Sequence, residues 1–246
     1  MRFAFAAFLL ACACASGPSH REKERSEIHY NLGAEALRAG RVQDALKEFD
    51  EALAADENFA DAHLGRGLVM EYGFGKLDDA EKHYRRAIEL RPAFPEAHNN
   101  LGQLLAKRGR LSESVVEFDE ALANMMYAEP YIARCNKGEA LYRLGRRDEG
   151  IAELQGCLKT NPRYCLGYRT LGRIHLEEGR PKLALESFDR YAQNCPTTAD
   201  AWYQVGVTQL KVGDASKATQ AFQRCEDLAG QADLGAECRR SREMLQ

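Results

Sequence analysis

The chain repeats one pattern of small and apolar residues six times. Each copy has a glycine, then a small residue twelve or thirteen positions later, then a large apolar residue four positions after that. The glycines are Gly33, Gly67, Gly102, Gly138, Gly172 and Gly206. The small residues are Ala45, Ala80, Ser114, Gly150, Ala184 and Ala218, and the large ones are Phe49, Tyr84, Phe118, Leu154, Phe188 and Phe222. Because residues four apart share a helix face, each copy predicts two helices in close contact.

The glycines recur at intervals of 34, 35, 36, 34 and 34 residues, which is the tetratricopeptide repeat (TPR) period. The sequence therefore predicts an all-α fold, a TPR solenoid of six helix-turn-helix repeats plus a C-terminal capping helix. The predicted repeats are 26–59, 60–94, 95–130, 131–164, 165–198 and 199–232, followed by a cap at 233–246. One hairpin cannot bury its own apolar face, so the repeats must stack. The turn EYGFGKLDD in the second repeat is one residue longer, and its GFGK lacks the spacing of a phosphate loop.

The first residues are typical of a secretory leader. Arg2 precedes an apolar run that is shorter than the roughly 20 residues of a spanning helix. Small residues then lead into two cysteines, an arrangement that resembles the bacterial lipobox. This predicts a signal peptide at 1–13, acylation of Cys14 and a flexible tether at 14–25. Cys12 is the alternative acylation site, with a shorter apolar run before the cut, and a plain signal peptide with incidental cysteines is a further interpretation.

Composition and charge narrow the function. The formal net charge is −3, with no run of basic residues that would suit nucleic acid or an anionic lipid surface. The sequence contains no nucleophile–base motif and no glycine-rich cofactor loop. We therefore expect no enzymatic activity, no cofactor, no nucleic-acid partner and no small-molecule substrate.

Three histidines, His29, His63 and His98, share one repeat position, which later holds Tyr168 and Trp202. A metal ladder is one interpretation, and a position that favours a flat packing residue is the other. Packed helices lie about 8–10 Å apart, whereas Zn–N bonds are about 2.0–2.1 Å. One ion could not join residues of neighbouring repeats, so the sequence predicts no metal site.

Six further cysteines lie in the repeats and the cap, and none forms a C-x-x-C motif. An oxidising periplasm would permit disulfides between them. Cys157 and Cys225 occupy a position that favours small buried residues, so simple burial is one interpretation. Each is followed by a cysteine in the next helix, and the predicted pairs are therefore Cys157–Cys165 and Cys225–Cys238.

The concave wall of a TPR array is lined by the first helix of each repeat, and it is the predicted partner-binding groove. It is apolar and aromatic in the N-terminal half and more cationic in repeats 4 and 5. The predicted groove residues are Tyr30, Leu37, Leu64, Leu68, Tyr72, Asn99, Gln103, Tyr142, Arg143, Arg169, Arg173 and Tyr203. Tyr30 stands where TPR proteins that bind acidic chaperone tails carry their first lysine, so such a tail is not the expected ligand.

The chain as a whole resembles the six-TPR lipoproteins of type IV pilus biogenesis, the PilF/PilW pilotins and the social-motility protein Tgl. The resemblance covers the leader, all six repeats and the long join ALANMMYAEPYIARCNKGEALYRLGR between repeats 3 and 4. It implies a lipid-anchored adaptor that faces the periplasm from the outer membrane. Such a pilotin binds secretin subunits and promotes their localisation and multimer assembly for pili and twitching or social motility.

Two other functions fit a lipid-anchored TPR adaptor. One is the organisation of peptidoglycan hydrolases or synthases, and the other is a role in outer-membrane protein assembly. The first predicts altered cell shape with normal pili, and the second predicts a broad loss of outer-membrane proteins.

Overall fold

The computed structural model describes residues 17–245, and within that range every regular element is a helix. The helices follow one another as tandem antiparallel hairpins, so the predicted fold class, an all-α TPR solenoid, is confirmed. The chain divides into two compact units, the first ending at Pro92 and the second beginning at Ala93. The predicted signal peptide and the cysteines Cys12 and Cys14 lie outside the described residues.

The first unit contains two hairpins. Its helices are α1 (His20–Arg38), α2 (Val42–Ala55), α3 (Ala60–Leu68) and α4 (Leu77–Leu90). The second unit contains four hairpins and a final helix. Its helices are α5 (Pro95–Lys107), α6 (Leu111–Ala123), α7 (Pro130–Arg143), α8 (Arg147–Thr160), α9 (Cys165–Glu177), α10 (Pro181–Asn194), α11 (Ala199–Val212), α12 (Ala215–Ala229) and α13 (Asp233–Glu243). None of the helices at residues 17–245 has the length and apolar character that crossing a membrane requires.

The start of α1 corrects the predicted tether. Residues 20–25 were assigned to a flexible tether because they are strongly charged, but they form the first turns of α1. Ser19 and Glu22 form a capping box, in which the Ser19 hydroxyl accepts from the Glu22 N–H and the Glu22 carboxylate accepts from the Ser19 N–H. These bonds satisfy backbone donors that a helix start otherwise leaves without partners.

The extra residue of the second repeat lies in a helix rather than in a looser turn. Val69–Gly73 forms a π-helical segment that continues α3, and Lys76 N–H then donates to Met70 O at 2.8 Å. Burial explains why the segment is ordered. Glu71 is buried and its carboxylate accepts a hydrogen bond from the buried Tyr84 hydroxyl at 3.0 Å. The wider helical turn absorbs one residue without breaking the hairpin.

Each hairpin closes through the small and large residues of the repeated pattern. The aromatic ring of the second helix fills the space beside the glycine of the first. A Cβ added at Gly102 would lie 2.6 Å from the Phe118 ring, and one added at Gly206 would lie 2.7 Å from the Phe222 ring. Repeat 4 differs, because Leu154 replaces the ring and the backbones of Gly138 and Gly150 meet directly. The periodic glycines therefore set the spacing of the two helices.

Three disulfides join pairs of helices in the second unit. They are Cys135–Cys157 between α7 and α8, Cys165–Cys195 between the start of α9 and the end of α10, and Cys225–Cys238 between α12 and α13. The predicted pair Cys157–Cys165 is wrong. Cys157 is fully buried and faces α7, where its Cα lies 5.4 Å from that of Cys135. The structure does contain the predicted pair Cys225–Cys238.

Candidate partner-binding groove

Three neighbouring clefts run along the first helices of the repeats in the second unit. A cleft of about 230 Å³ lies between α5 and α7, one of about 170 Å³ between α7 and α9, and one of about 240 Å³ involves α7, α9 and α11. Glu139 of α7 lines all three, so the clefts form one continuous surface. We call this surface the second-unit groove. Its polar lining residues are Gln103, Lys107, Asn136, Glu139, Arg143, Arg169, Thr170, Arg173 and Gln204.

Polar contacts connect successive first helices along this groove. Each contact joins side chains that stand about one repeat apart in the sequence. They are Asn136 Nδ2 donating to Asn99 Oδ1 at 3.0 Å, Arg173 donating to Glu139 at 2.8 Å and Arg169 pairing with Asp200 at 3.0 Å. The partners hold the long side chains in defined orientations, which lowers the entropy that a bound segment would otherwise cost them.

The cations of the groove differ in how far they are already neutralised. Arg173 contacts both Glu139 and Glu177, so its charge is compensated within the fold. Arg143 is exposed at the end of α7 and forms no ion pair with residues 17–245. A carboxylate of a bound segment would therefore pair best with Arg143. The amides of Gln103, Asn136 and Gln204 offer both donors and acceptors to an extended peptide backbone.

The other residues predicted in this half lie at or beyond the margins of the groove. Asn99 is buried and acts as a partner of Asn136 rather than as exposed lining. Tyr142 is partly buried and lies beside Arg143 at the end of α7, with the Arg147 guanidinium 6.0 Å from its ring. Tyr203 is partly buried and its hydroxyl donates to Glu237 of α13 at 2.5 Å, which together with burial raises the pKa of Tyr203 to about 12.

The residues predicted in the first unit divide into core and surface. Tyr30 packs against Phe49 and Phe59, with ring centroids 6.0 and 5.4 Å away, and Leu37 packs on the same core. Leu64 and Leu68 are partly buried on α3. Tyr72, on the π-helical segment, is 62% exposed. Position within the repeat therefore did not distinguish exposed lining from core in this unit. The groove residues predicted in the first unit are Tyr30, Leu37, Leu64, Leu68 and Tyr72.

Sequence reasoning missed several lining residues of the second unit, namely Asn136, Glu139, Thr170 and Gln204. Glu139 follows its repeat glycine by one position, as Gln103 and Arg173 do in their repeats. Applying the repeat register uniformly would have found it. Asn136, Thr170 and Gln204 share another position, two residues before the glycine.

The histidines that share a repeat position contact the second helix of their own hairpin. His29 Nδ1 lies 2.7 Å from Glu48, His98 Nδ1 lies 2.7 Å from Glu117, and His63 Nδ1 lies 3.0 Å from His83 Nδ1. Each contact stays within one repeat, so the shared position connects the two helices of a hairpin. Within residues 17–245 no group of three or more His, Cys, Asp or Glu side chains has a geometry that would hold a metal ion.

The His63–His83 pair should make the folded protein less stable in acid. Burial, the neighbouring Arg66 and His63 itself lower the pKa of His83 to about 4, and burial also lowers the pKa of His63. An unfolded histidine titrates near 6.5 and binds protons that the folded pair excludes. The free energy of unfolding should therefore fall between about pH 6.5 and pH 4. Urea titrations across this pH range should show that the free energy of unfolding falls less steeply with decreasing pH for His83→Gln than for wild type. The same pH dependence in both proteins would show that the histidine pair is not the cause.

Family models of the same repeat match most of the chain. A model described as TPR repeat matches residues 71–109, and models described as tetratricopeptide repeat match residues 26–59, 135–199 and 169–233. The chain belongs to the tetratricopeptide repeat family. The matched models indicate an interaction scaffold and no catalytic family.

The curated relatives include longer proteins that this chain matches over part of their length. DnaJ homolog subfamily C member 3 of Rattus norvegicus is 26% identical over 216 residues, and the protein of the same name from Homo sapiens has the same identity over the same length. The alignment covers 81% of this chain but only 42% of those relatives. The likeness therefore concerns the repeats.

PilW and PilF are among the solved structures that this chain matches over nearly their whole length. PilW, described as a widely conserved type IV pilus biogenesis factor, superposes with a TM-score of 0.78 at 26% identity, covering 86% of this chain and 97% of PilW. PilF of Pseudomonas aeruginosa gives a TM-score of 0.73 at 19% identity, covering 89% of this chain and 99% of PilF. The PilF match is a likeness of fold.

Proposed function

We propose that this TPR protein is a pilotin of the type IV pilus. It binds secretin subunits and promotes their outer-membrane localisation and their assembly into the multimer through which pili pass. The observation that supports this most strongly is the mutual coverage with PilW, 86% of this chain and 97% of that structure at 26% identity. DnaJ homolog subfamily C member 3, in contrast, is matched over only 42% of its length.

The second-unit groove is the proposed binding surface for the secretin. Continuous clefts along α5, α7, α9 and α11 suit an extended segment of a partner, because amides can pair with its backbone over successive helices. Arg143 provides the uncompensated charge for an acidic side chain of that segment. Tyr and Arg are also the residue types that contribute most to protein interfaces.

The proposed pilotin is anchored by acyl chains on Cys14. Each buried CH₂ contributes about 0.8 kcal/mol, and stable anchoring takes more than one chain. A multiply acylated cysteine would hold the TPR units at the periplasmic face of the outer membrane and concentrate bound secretin subunits there. The proposal thus assigns recognition to the repeats and delivery to the acylated cysteine.

The experiment is a comparison of secretin multimers in strains with and without this chain. Heat- and detergent-resistant multimers should disappear in the deletion strain while secretin monomer persists. Cys14→Ala should leave the repeats folded but reduce multimer formation, and Cys12→Ala serves as the matched control for the choice of acylation site. Normal multimers in the deletion strain would refute the proposal.

Other phenotypes would identify a different function for the same adaptor. Altered cell shape with normal pili would indicate a role with peptidoglycan enzymes. A general loss of outer-membrane proteins would indicate a role in their assembly. Either result, with secretin multimers intact, would contradict the pilotin assignment.

A further inference from the structure

The outward face of α1 carries two apolar residues that no described helix covers. α1 packs against α2 with buried residues Ser26, Gly33 and Ala36. On the opposite side Ile28 is 53% exposed and Leu32 is 47% exposed. The two are one helical turn apart, so they form a small continuous patch.

The position of Ile28 is buried in every later repeat, and the position of Leu32 is buried in repeats 3, 5 and 6. The equivalent of Ile28 in repeat 4 is Ala133, which packs with Phe118 of α6. The equivalent of Leu32 in repeat 5 is Leu171, which packs with Leu154 of α8. In both cases the partner is the second helix of the preceding repeat. Ile28 and Leu32 therefore occupy stacking positions, and within residues 17–245 no helix precedes α1 to stack on them.

Charged residues flank this patch in a regular order. Arg21 and Arg25 come before the apolar pair and Glu35 comes after it, and all three are exposed. Positions 21, 25, 28, 32 and 35 alternate spacings of four and three residues, which is the seam of a heptad repeat. Among residues 17–245, the ion pair of Arg25 is a long contact of 3.8 Å with Glu51, and both side chains are about half exposed. This contact leaves Arg25 available to another carboxylate.

The order of charges is self-complementary for two antiparallel copies of α1. If Ile28 packs against Leu32 of a second copy, the same register places Arg25 against Glu35 of that copy, and the two-fold axis repeats both contacts. A parallel arrangement would instead place Arg25 beside Arg25. We propose that the outward face of α1 is a homodimer interface in which two copies of this chain pair through antiparallel α1 helices.

The size of the interface determines how the dimer behaves. Two apolar layers and two charged layers from one helix pair bury less than the roughly 800 Å² per partner of a standard interface. The dimer is therefore reversible, and its closed two-fold symmetry stops further growth. Exposed ion pairs contribute little individually, but reversing one charge converts both of the symmetric pairs to repulsion at once.

Charge reversal tests both the partner and the register. The full chain, extracted in mild detergent, is examined by sedimentation velocity over a concentration series. The wild type should show a reversible monomer–dimer equilibrium. Arg25→Glu and Glu35→Arg should each weaken it about tenfold, and Ile28→Asp with Leu32→Asp should abolish it. Circular dichroism checks that these exposed substitutions leave the fold intact.

An equimolar mixture of the two single charge variants decides the register. Arg25→Glu supplies two glutamates and Glu35→Arg supplies two arginines, so the mixed dimer regains both attractive pairs and should associate as the wild type does. A monomeric wild type would overturn the proposal. So would single variants that associate like the wild type, since association through the leader would not respond to these charges. Failure of the mixture to associate would overturn it as well.

Discussion

Replacing Gly150 by alanine should destabilise the protein by about 3 kcal/mol, the upper part of the range for an overpacked interior. Five of the six repeats have alanine or serine at this position, so repeat consensus favours the substitution. Intrinsic helix propensity favours it too, by up to about 1 kcal/mol. The geometry opposes both, because a Cβ at Gly150 would lie 2.6 Å from Gly138 O and 2.7 Å from Tyr142 N. These are backbone atoms, so α7 and α8 would have to separate.

Gly156 provides a matched control for this substitution. It lies in the same helix, but a Cβ there meets first the Arg134 side chain, at 3.3 Å, which can move aside. Gly156→Ala should therefore stabilise the protein by about 0.5–1 kcal/mol. Urea unfolding of both variants measures the difference. Equal or opposite effects of the two would contradict the close backbone contact of repeat 4.

Reduction of the three disulfides should weaken the second unit and leave the first nearly unchanged. The closed loops span 22, 30 and 13 residues, and a loop of this size stabilises by about 3 kcal/mol. All three lie after Ala93, and residues 17–92 contain no cysteine. Because repeat stability is mainly local, the loss should be regional. Hydrogen exchange with and without reductant should show lost protection in α7–α13 and retained protection in α1–α4.

A variant with all six of these cysteines replaced by alanine controls for other effects of the reductant. It should already show weak protection in α7–α13 and should not respond further to the reductant. Equal loss of protection in α1–α4 would mean that stability is shared along the whole chain. No loss anywhere would mean that the repeats of the second unit do not need the disulfides.

The periodic glycine and the small and large residues that follow it predicted the helical hairpins well. These positions are set by contacts inside one repeat, so a one-dimensional pattern records them. The end of α3 was not predictable in this way, because one extra residue fits either a turn or a π-helical segment. The π-helical segment is the one that holds Glu71 in its buried hydrogen bond with Tyr84. The helical start at His20 was signalled by Ser19 and Glu22 but was obscured by the surrounding charges.

The candidate groove was predicted less completely than the fold. Position within the repeat correctly predicted Gln103, Arg143 and Arg173 as lining residues of the groove. It also predicted Asn99, which is buried against its neighbours. The repeat position of Asn99 is occupied in repeat 4 by Cys135, which is buried and bonded to Cys157, and in repeat 5 by Arg169, which is exposed. Exposure at one repeat position therefore varies with the size of the local side chains, and spacing alone does not record it. The disulfide partner of Cys157 was missed for the same reason.

The most direct test of the proposed pilotin function is binding of the secretin to the second-unit groove. The purified chain is titrated with the periplasmic region of the secretin, and wild type is compared with Arg143→Glu. Lys182→Glu is the matched control, since Lys182 is an exposed lysine on α10, outside the groove. We expect saturable binding by wild type and Lys182→Glu and a weakening of about tenfold or more for Arg143→Glu. No binding by wild type, or equal binding by all three proteins, would contradict it.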